Sequence, residues 1–164
     1  MHEPSSSASY DFSDKQAAYA ELAVALHALL SGERDRIANA ANTAALIFTS
    51  LPDINWAGFY FLKGQQLIVG PFQGKPACVR IAIGRGVCGA AAAQRTTLRI
   101  ADVHAFADHI ACDAASKSEI VIPLLRGSDL LGVLDIDSPL QARFDAVDQH
   151  GLETLANIFV SSLG

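Results

Sequence analysis

All three cysteines of the chain fall between positions 78 and 112. Cys78 opens Cys78-Val79-Arg80-Ile81, Cys88 lies in Gly84-Arg85-Gly86-Val87-Cys88-Gly89, and Cys112 lies in Asp108-His109-Ile110-Ala111-Cys112-Asp113. Cysteines used only as small hydrophobes would be scattered among strands and helices. Three thiols in one loop-rich window, beside charged residues and histidines, point instead to nucleophilic or disulfide chemistry. Cys88 is expected in the first turn of a short helix over residues 87–94. Unpaired amides and the helix dipole favour a thiolate there, so helix-terminus reasoning alone makes Cys88 the most reactive thiol.

Two further groups of residues could do chemistry. Asp135 and Asp137 alternate onto one face of the strand 130–137, together with Leu131 and Val133. They either cap a sheet edge in solvent or sit inside, where paired carboxylates need a cationic partner or a shared proton. Trp56 and Tyr60 share one face of the aromatic strand 54–62, opposite Ala57, Phe59 and Phe61. They are core aromatics, or they line a pocket with their polar tips. His104, Asp108, His109 and Cys112 are ligand types, but the paired short spacings of a zinc site are missing, so no metal is expected. The glycines around Arg85 could cradle a phosphate, yet their spacing is neither a dinucleotide fingerprint nor a Walker loop.

The remaining elements must position these groups. Residues up to about Phe12 read as a loose arm. Ser13 and Gln16 have capping-box spacing ahead of an amphipathic helix carrying Tyr19, Leu22, Leu26, Leu29 and Leu30, with Gly32 ending it. His27 lies beside this stripe, at the surface. A second helix is expected over about 33–50, with Ile37, Ala41, Ala44, Phe48 and Leu51 on its inner face. A hairpin follows, its strands at 54–62 and 67–70. Residues 71–77 read as a loop into a short strand that carries Cys78. After the short helix come a strand at 97–100 and a long connection, 102–117, of the kind that is usually functional. A second hairpin, 119–125 with 130–137, precedes a last helix for which Asp145 is the expected N-cap and Leu152, Leu155 and Phe159 the inner face.

Bulk composition narrows the function. A chain of 164 residues, 51% hydrophobic and 18% charged, fits one globular domain. A net charge of −5 argues against nucleic-acid binding, because no basic stripe is available to neutralise phosphates. The N-terminal residues have neither the basic nor the apolar region of a signal peptide, and apolar runs are too short to span a membrane. An odd cysteine count without such a signal fits a reducing compartment, and a cytoplasmic location is expected.

The element order predicts an α+β fold, an antiparallel sheet of about six strands with helices packed on one face. This layout resembles a GAF domain, with residues 1–12 as the arm and 13–164 as the domain. The motifs are more specific. Asn55-Trp56-Ala57-Gly58-Phe59-Tyr60, Gly70-Pro71-Phe72-Gln73-Gly74-Lys75-Pro76-Ala77-Cys78, Gly84-Arg85-Gly86-Val87-Cys88-Gly89, Asp102-Val103-His104, His109-Ile110-Ala111-Cys112-Asp113, Ser118-Glu119-Ile120-Val121 and Gly132-Val133-Leu134-Asp135-Ile136-Asp137-Ser138 occur in this order. Together they resemble the free methionine-(R)-sulfoxide reductases.

That resemblance implies a fold, a reaction and a set of roles. It implies Cys112 as nucleophile, Cys78 as resolving thiol, and Cys88 as a third member of the redox set that shares the resolving role as an alternative. It implies Trp56, Tyr60, Glu119, Asp135 and Asp137 as the substrate pocket, free methionine sulfoxide as substrate, thioredoxin as reductant and no cofactor. A homodimer is compatible with it. On the choice of nucleophile the resemblance overrides the helix-terminus argument, because substrate placement decides attack more directly than thiol acidity. The competing classes are a GAF sensor that binds a small ligand and a thiol redox sensor with no substrate.

Overall fold

The computed structural model describes residues 9–110 and 114–164. The chain runs α1 (Lys15–Leu30), α2 (Arg36–Ser50), β1 (Trp56–Lys63), β2 (Gln66–Gly74), β3 (Arg80–Ala82), α3 (Gly86–Gln94), β4 (Leu98–Ile100), a 3₁₀ turn (Val103–Ala105), β5 (Ser118–Arg126), β6 (Asp129–Ser138) and α4 (Ala146–Ser162). The six strands form one antiparallel sheet in the order β3-β2-β1-β6-β5-β4. The three long helices pack on one face, and α3 packs on the other against β3, β5 and β6. Among the described residues no helix is long and apolar enough to cross a membrane.

Period-2 alternation sorts the sheet into two apolar clusters. Ala57, Phe59 and Phe61 of β1, with Leu134 and Ile136 of β6, face the long helices. Trp56 and Tyr60, with Val121 and Val133, face α3. Phe59 is fully buried, its ring 4.6 Å from that of Phe159 on α4. Burying a side chain of this size contributes about 1.5–3 kcal/mol. The inner face of α4, with Leu152, Leu155 and Phe159, is as expected, and Asp145 caps it in a capping box with Asp148.

Several local expectations give way to specific competing contacts. The cap of α1 is Asp14, which accepts from the Ala17 amide at 3.2 Å. The Ser13 hydroxyl is occupied instead in donating to Asp11 at 2.6 Å. Leu29 is 43% exposed, off the inner face of α1. The inner face of α2 is Asn39, Ala40, Thr43, Ala44 and Ile47, while Ile37 is 57% exposed and Ala41 is also outside. Two polar residues take the buried positions because each finds partners. Asn39 donates to the Glu33 carbonyl and to Ser162, and Thr43 donates to the Asn39 carbonyl.

β2 runs on through Pro71 to Gly74, where a loop was expected. β3 pairs only with residues 66–68, so beyond them β2 has an open side that needs no proline N–H. Cys78 precedes β3 rather than lying in it. Of the expected arm, residues 1–8 lie outside the described residues, whereas Tyr10 and Phe12 pack on the helical core.

Candidate active site

The pocket face of the sheet is built by register. Across β1, β6 and β5, Trp56 pairs with Asp137, and Asp137 pairs with Glu119. The next row on the same face is Gly58, Asp135 and Val121. One aromatic ring and three carboxyl groups therefore converge from three strands. A bulge sits upstream in β6: Leu124 pairs with Gly132 but Leu125 with Leu130. It reverses two positions, so that Leu130 packs on the pocket side and Leu131 on the helical side. Gly132 is required here, because a side chain on it would run into the Tyr60 carbonyl. From Val133 onward the expected alternation holds and brings Asp135 and Asp137 to the pocket.

Trp56, Tyr60, Cys88, Glu119, Asp135 and Asp137 line one small cavity. Trp56 and Tyr60 are both core and pocket wall. Their rings stack at 5.8 Å, and Trp56 also stacks on Phe72 at 5.1 Å. Their polar tips are already used: Trp56 Nε1 donates to the Lys75 carbonyl at 3.1 Å, and the Tyr60 hydroxyl donates to the Cys78 carbonyl at 3.2 Å. The aromatic pair thus pins the segment that carries Cys78. Lys75, Arg85, His109, Ile110 and Ser116 also line the cavity. Each stands in or beside a quoted motif, yet nothing in residue type separates a wall residue from a turn residue.

Two of the carboxyl groups are buried with no ion pair among the described residues. Glu119 and Asp135 are buried, and Asp135 Oδ1 has no hydrogen-bond partner. Loss of water and the Asp137 charge push Asp135 up to about 8. Burial first, then the Asp135 charge, holds Glu119 well above the usual carboxylate range. Cys88 is a free, buried thiol whose sulfur lies 3.9 Å from Glu119 Oε2. Burial, then Asp135, Glu119 and Asp137, raises its pKa well above that of an ordinary thiol.

Cys88 does lie in the first turn of α3, as expected, but it is no thiolate. Desolvation and three acidic neighbours outweigh the helix N-terminus, whose effect is confined to the first turn. The ligand atoms of Cys88, Glu119 and Asp135 lie within 4.8 Å of one another and could surround a small cation or an ammonium group. The expected metal-ligand types in the long connection form no such group among the described residues. Cys78 is disulfide-bonded. Cys112, the expected nucleophile, lies outside the described residues.

The sequence model of the GAF domain matches residues 16–163. A free methionine-R-sulfoxide reductase of Escherichia coli (strain K12) is 56% identical over 137 residues, 84% of this chain and 83% of that protein. The chain belongs to the free methionine-(R)-sulfoxide reductase family of GAF domains. A Saccharomyces cerevisiae free methionine-R-sulfoxide reductase is 41% identical over 157 residues, 91% of this chain and 87% of that one. The X-ray structure of free methionine-R-sulfoxide reductase from Neisseria meningitidis in complex with its substrate superposes with a TM-score of 0.90 at 42% identity, covering 99% of this chain and 96% of that one. Family membership and the α+β fold agree with the motif reading, and the aromatic and acidic residues quoted there share one pocket in this family member.

Proposed function

We propose that this chain reduces free L-methionine (R)-S-oxide to L-methionine by thiol chemistry. The observation that carries the proposal is the acidic cluster that shares a cavity with Trp56, with an unpartnered Asp135 oxygen and no ion pair to Glu119 or Asp135 among the described residues. A free amino acid brings a cation as its ammonium, and the same ligand presents an S-methyl group to an aromatic wall. Membership of a family whose relatives carry this activity in their names supports the reading.

The Cys112 thiolate attacks the sulfoxide sulfur. Glu119 or Asp135, held protonated by burial and by neighbouring charge, gives its proton to the sulfoxide oxygen. The oxygen passes to Cys112, methionine leaves with its sulfur reduced by two electrons, and Cys112 becomes a sulfenic acid. A second thiol condenses with it, releasing water and forming a disulfide. Cys78 takes that role, supported by its being disulfide-bonded while Cys88 is a free thiol of raised pKa. An external dithiol, thioredoxin, restores both thiols by exchange, and the cycle belongs in a reducing compartment such as the cytoplasm.

The test is the release of free methionine from each sulfoxide diastereomer in the presence of a dithiol. The parent protein should turn over the R form alone. Cys112→Ser should release none, and Cys78→Ser about one equivalent without recycling. Substantial turnover by Cys112→Ser would move the attack elsewhere, and a recycling defect in Cys88→Ser alone would move the resolving role to Cys88. A parent protein that binds methionine sulfoxide without converting it would be a sensor.

A further inference from the structure

The connection between β4 and β5 contributes His109 and Ile110 to the pocket wall, and Cys112 follows Ile110 by two residues. Beyond its 3₁₀ turn the described residues of this connection form no further helix or strand. Asp108 ties it to the site. One oxygen, Oδ2, accepts from Arg85 Nε at 2.8 Å and from the Gly86 amide at 3.1 Å, while Oδ1 accepts from Arg85 Nη2 at 3.0 Å. Arg85 is the N-cap residue of α3 but makes no side-chain cap of its own. A carboxylate from a distant loop supplies that cap, and Arg85 grips the same carboxylate at two points.

The hydrophobic contact beside the strap has the same direction. Gly86 has a φ of +61°, and a Cβ there would lie 3.0 Å from Ile110 Cδ1. The loop thus rests directly on the first turn of α3, the turn that carries Cys88. Arg85 and Asp108 are both well exposed. Exposed ion pairs contribute little to global stability, even though a two-point grip on a carboxylate defines geometry sharply. A contact of this kind is suited to fixing one loop against one helix end, not to holding the domain together.

We propose that Asp108 is a positioning residue of the reductase reaction: through Arg85 and the Gly86 amide it sets the His109–Ile110 edge of the pocket and thereby how the sulfoxide is held for attack. The inference rests on the function proposed above. A misplacement of about 1 Å can cost about a hundredfold in rate. Loss of the strap therefore slows attack far more than it weakens the fold.

The experiment uses the full-length reduced protein and free methionine sulfoxide, and it reads the single-turnover rate of methionine release. Asp108→Ala should be slower than the parent by about tenfold or more. Arg85→Lys, which keeps the charge but loses the two-point grip, should fall between them. The double variant Arg85→Ala/Asp108→Ala should be no slower than Asp108→Ala, since both remove one strap. The thermal midpoint should hardly move. Amide hydrogen exchange should rise in residues 105–110 and at the start of α3, and nowhere else. A parent that turns over beside an Asp108→Ala rate within twofold of it overturns the positioning role and leaves the reductase reading standing. A slow Asp108→Ala variant with unchanged exchange at 105–110 also overturns it, because the residue would then act by another route. A parent that releases no methionine overturns the reductase reading, and the positioning role with it.

Discussion

Two buried aspartates, one on each side of the sheet, have opposite surroundings. Asp148, on α4, is fully buried and accepts from Lys15 Nζ at 2.7 Å, Arg143 Nη1 at 3.2 Å, the Tyr19 hydroxyl at 2.7 Å and the Asp145 amide at 2.9 Å. Asp135, in β6, is almost as buried, yet its neighbours are Glu119, Asp137 and a thiol, and one of its oxygens is unpartnered. On the helical side Asp148 is paired with two cations, although Arg143 Nη2 is itself buried without a hydrogen-bond partner. On the pocket side neither Glu119 nor Asp135 forms an ion pair among the described residues, and a buried carboxylate without one is costly to maintain. The difference lies in the partners that the fold supplies: Asp148 has two cations within reach, and Asp135 is left among acids and a thiol.

The sharpest way to break this comparison is to remove each carboxylate in turn. Asp148→Ala takes the carboxylate from the buried Arg143 and Tyr19, while Lys15 keeps Asp145, and should cost about 3–5 kcal/mol in urea unfolding, with the pocket chemistry intact while the protein stays folded. Asp135→Asn should leave stability unchanged or raised and should cut kcat/KM severely. Equal destabilisation by the two variants would refute the contrast.

The next effect tests the substrate ammonium. N-acetylation removes its charge, and hydrogen bonds to charged groups contribute roughly 1.5–3 kcal/mol each. Losing two should lower kcat/KM by at least about a hundredfold, at about tenfold per 1.4 kcal/mol. Asp137→Asn should narrow that gap by harming the free substrate more than the acetylated one. Equal efficiency of the parent on both substrates would show that the acids do not read the ammonium.

A smaller effect is the dependence of stability on pH. Asp135 titrates at about 8 when folded and near the ordinary carboxylate value of about 4 when unfolded. Between those values the folded state holds the extra proton, so stability falls as pH rises, by at most about 1.4 kcal/mol per pH unit for one proton. Asp145 on the helical side behaves oppositely. Lys15 and the Asp148 amide hold its pKa down, so its contribution is full above the unfolded value and is lost as pH falls through the folded one. Urea midpoints from pH 5 to 8 should decline in the parent and flatten in Asp135→Asn. The smallest effect is that of Asp14→Ala, about 1 kcal/mol for a lost helix cap, with kcat unchanged.

Local rules carried much of the fold. Alternation in β1 separated Trp56 and Tyr60 from Phe59 and Phe61, and Asp145 announced the start of α4, because each signal depends on a few consecutive residues. The same rules failed wherever a distant partner intervened. Asn39 and Thr43 displaced Ile37 from the inner face of α2 through bonds to Glu33, Ser162 and their own helix. A bulge opposite Leu124 and Leu125 exchanged the faces of Leu130 and Leu131, and no alternation pattern reveals an extra residue in a strand.

The site divides along the same line. The family resemblance named Trp56, Tyr60, Cys88, Glu119, Asp135 and Asp137 from ordered motifs, and the fold brings these six to one cavity. Their meeting was decided by register: Glu119 and Trp56, far apart in the chain, both pair with Asp137. The charge state of Cys88 was also a tertiary outcome. The sequence places it at a helix end that favours a thiolate, but burial beside three carboxyl groups keeps it a thiol, since desolvation and like charge act through space and leave no trace in local order.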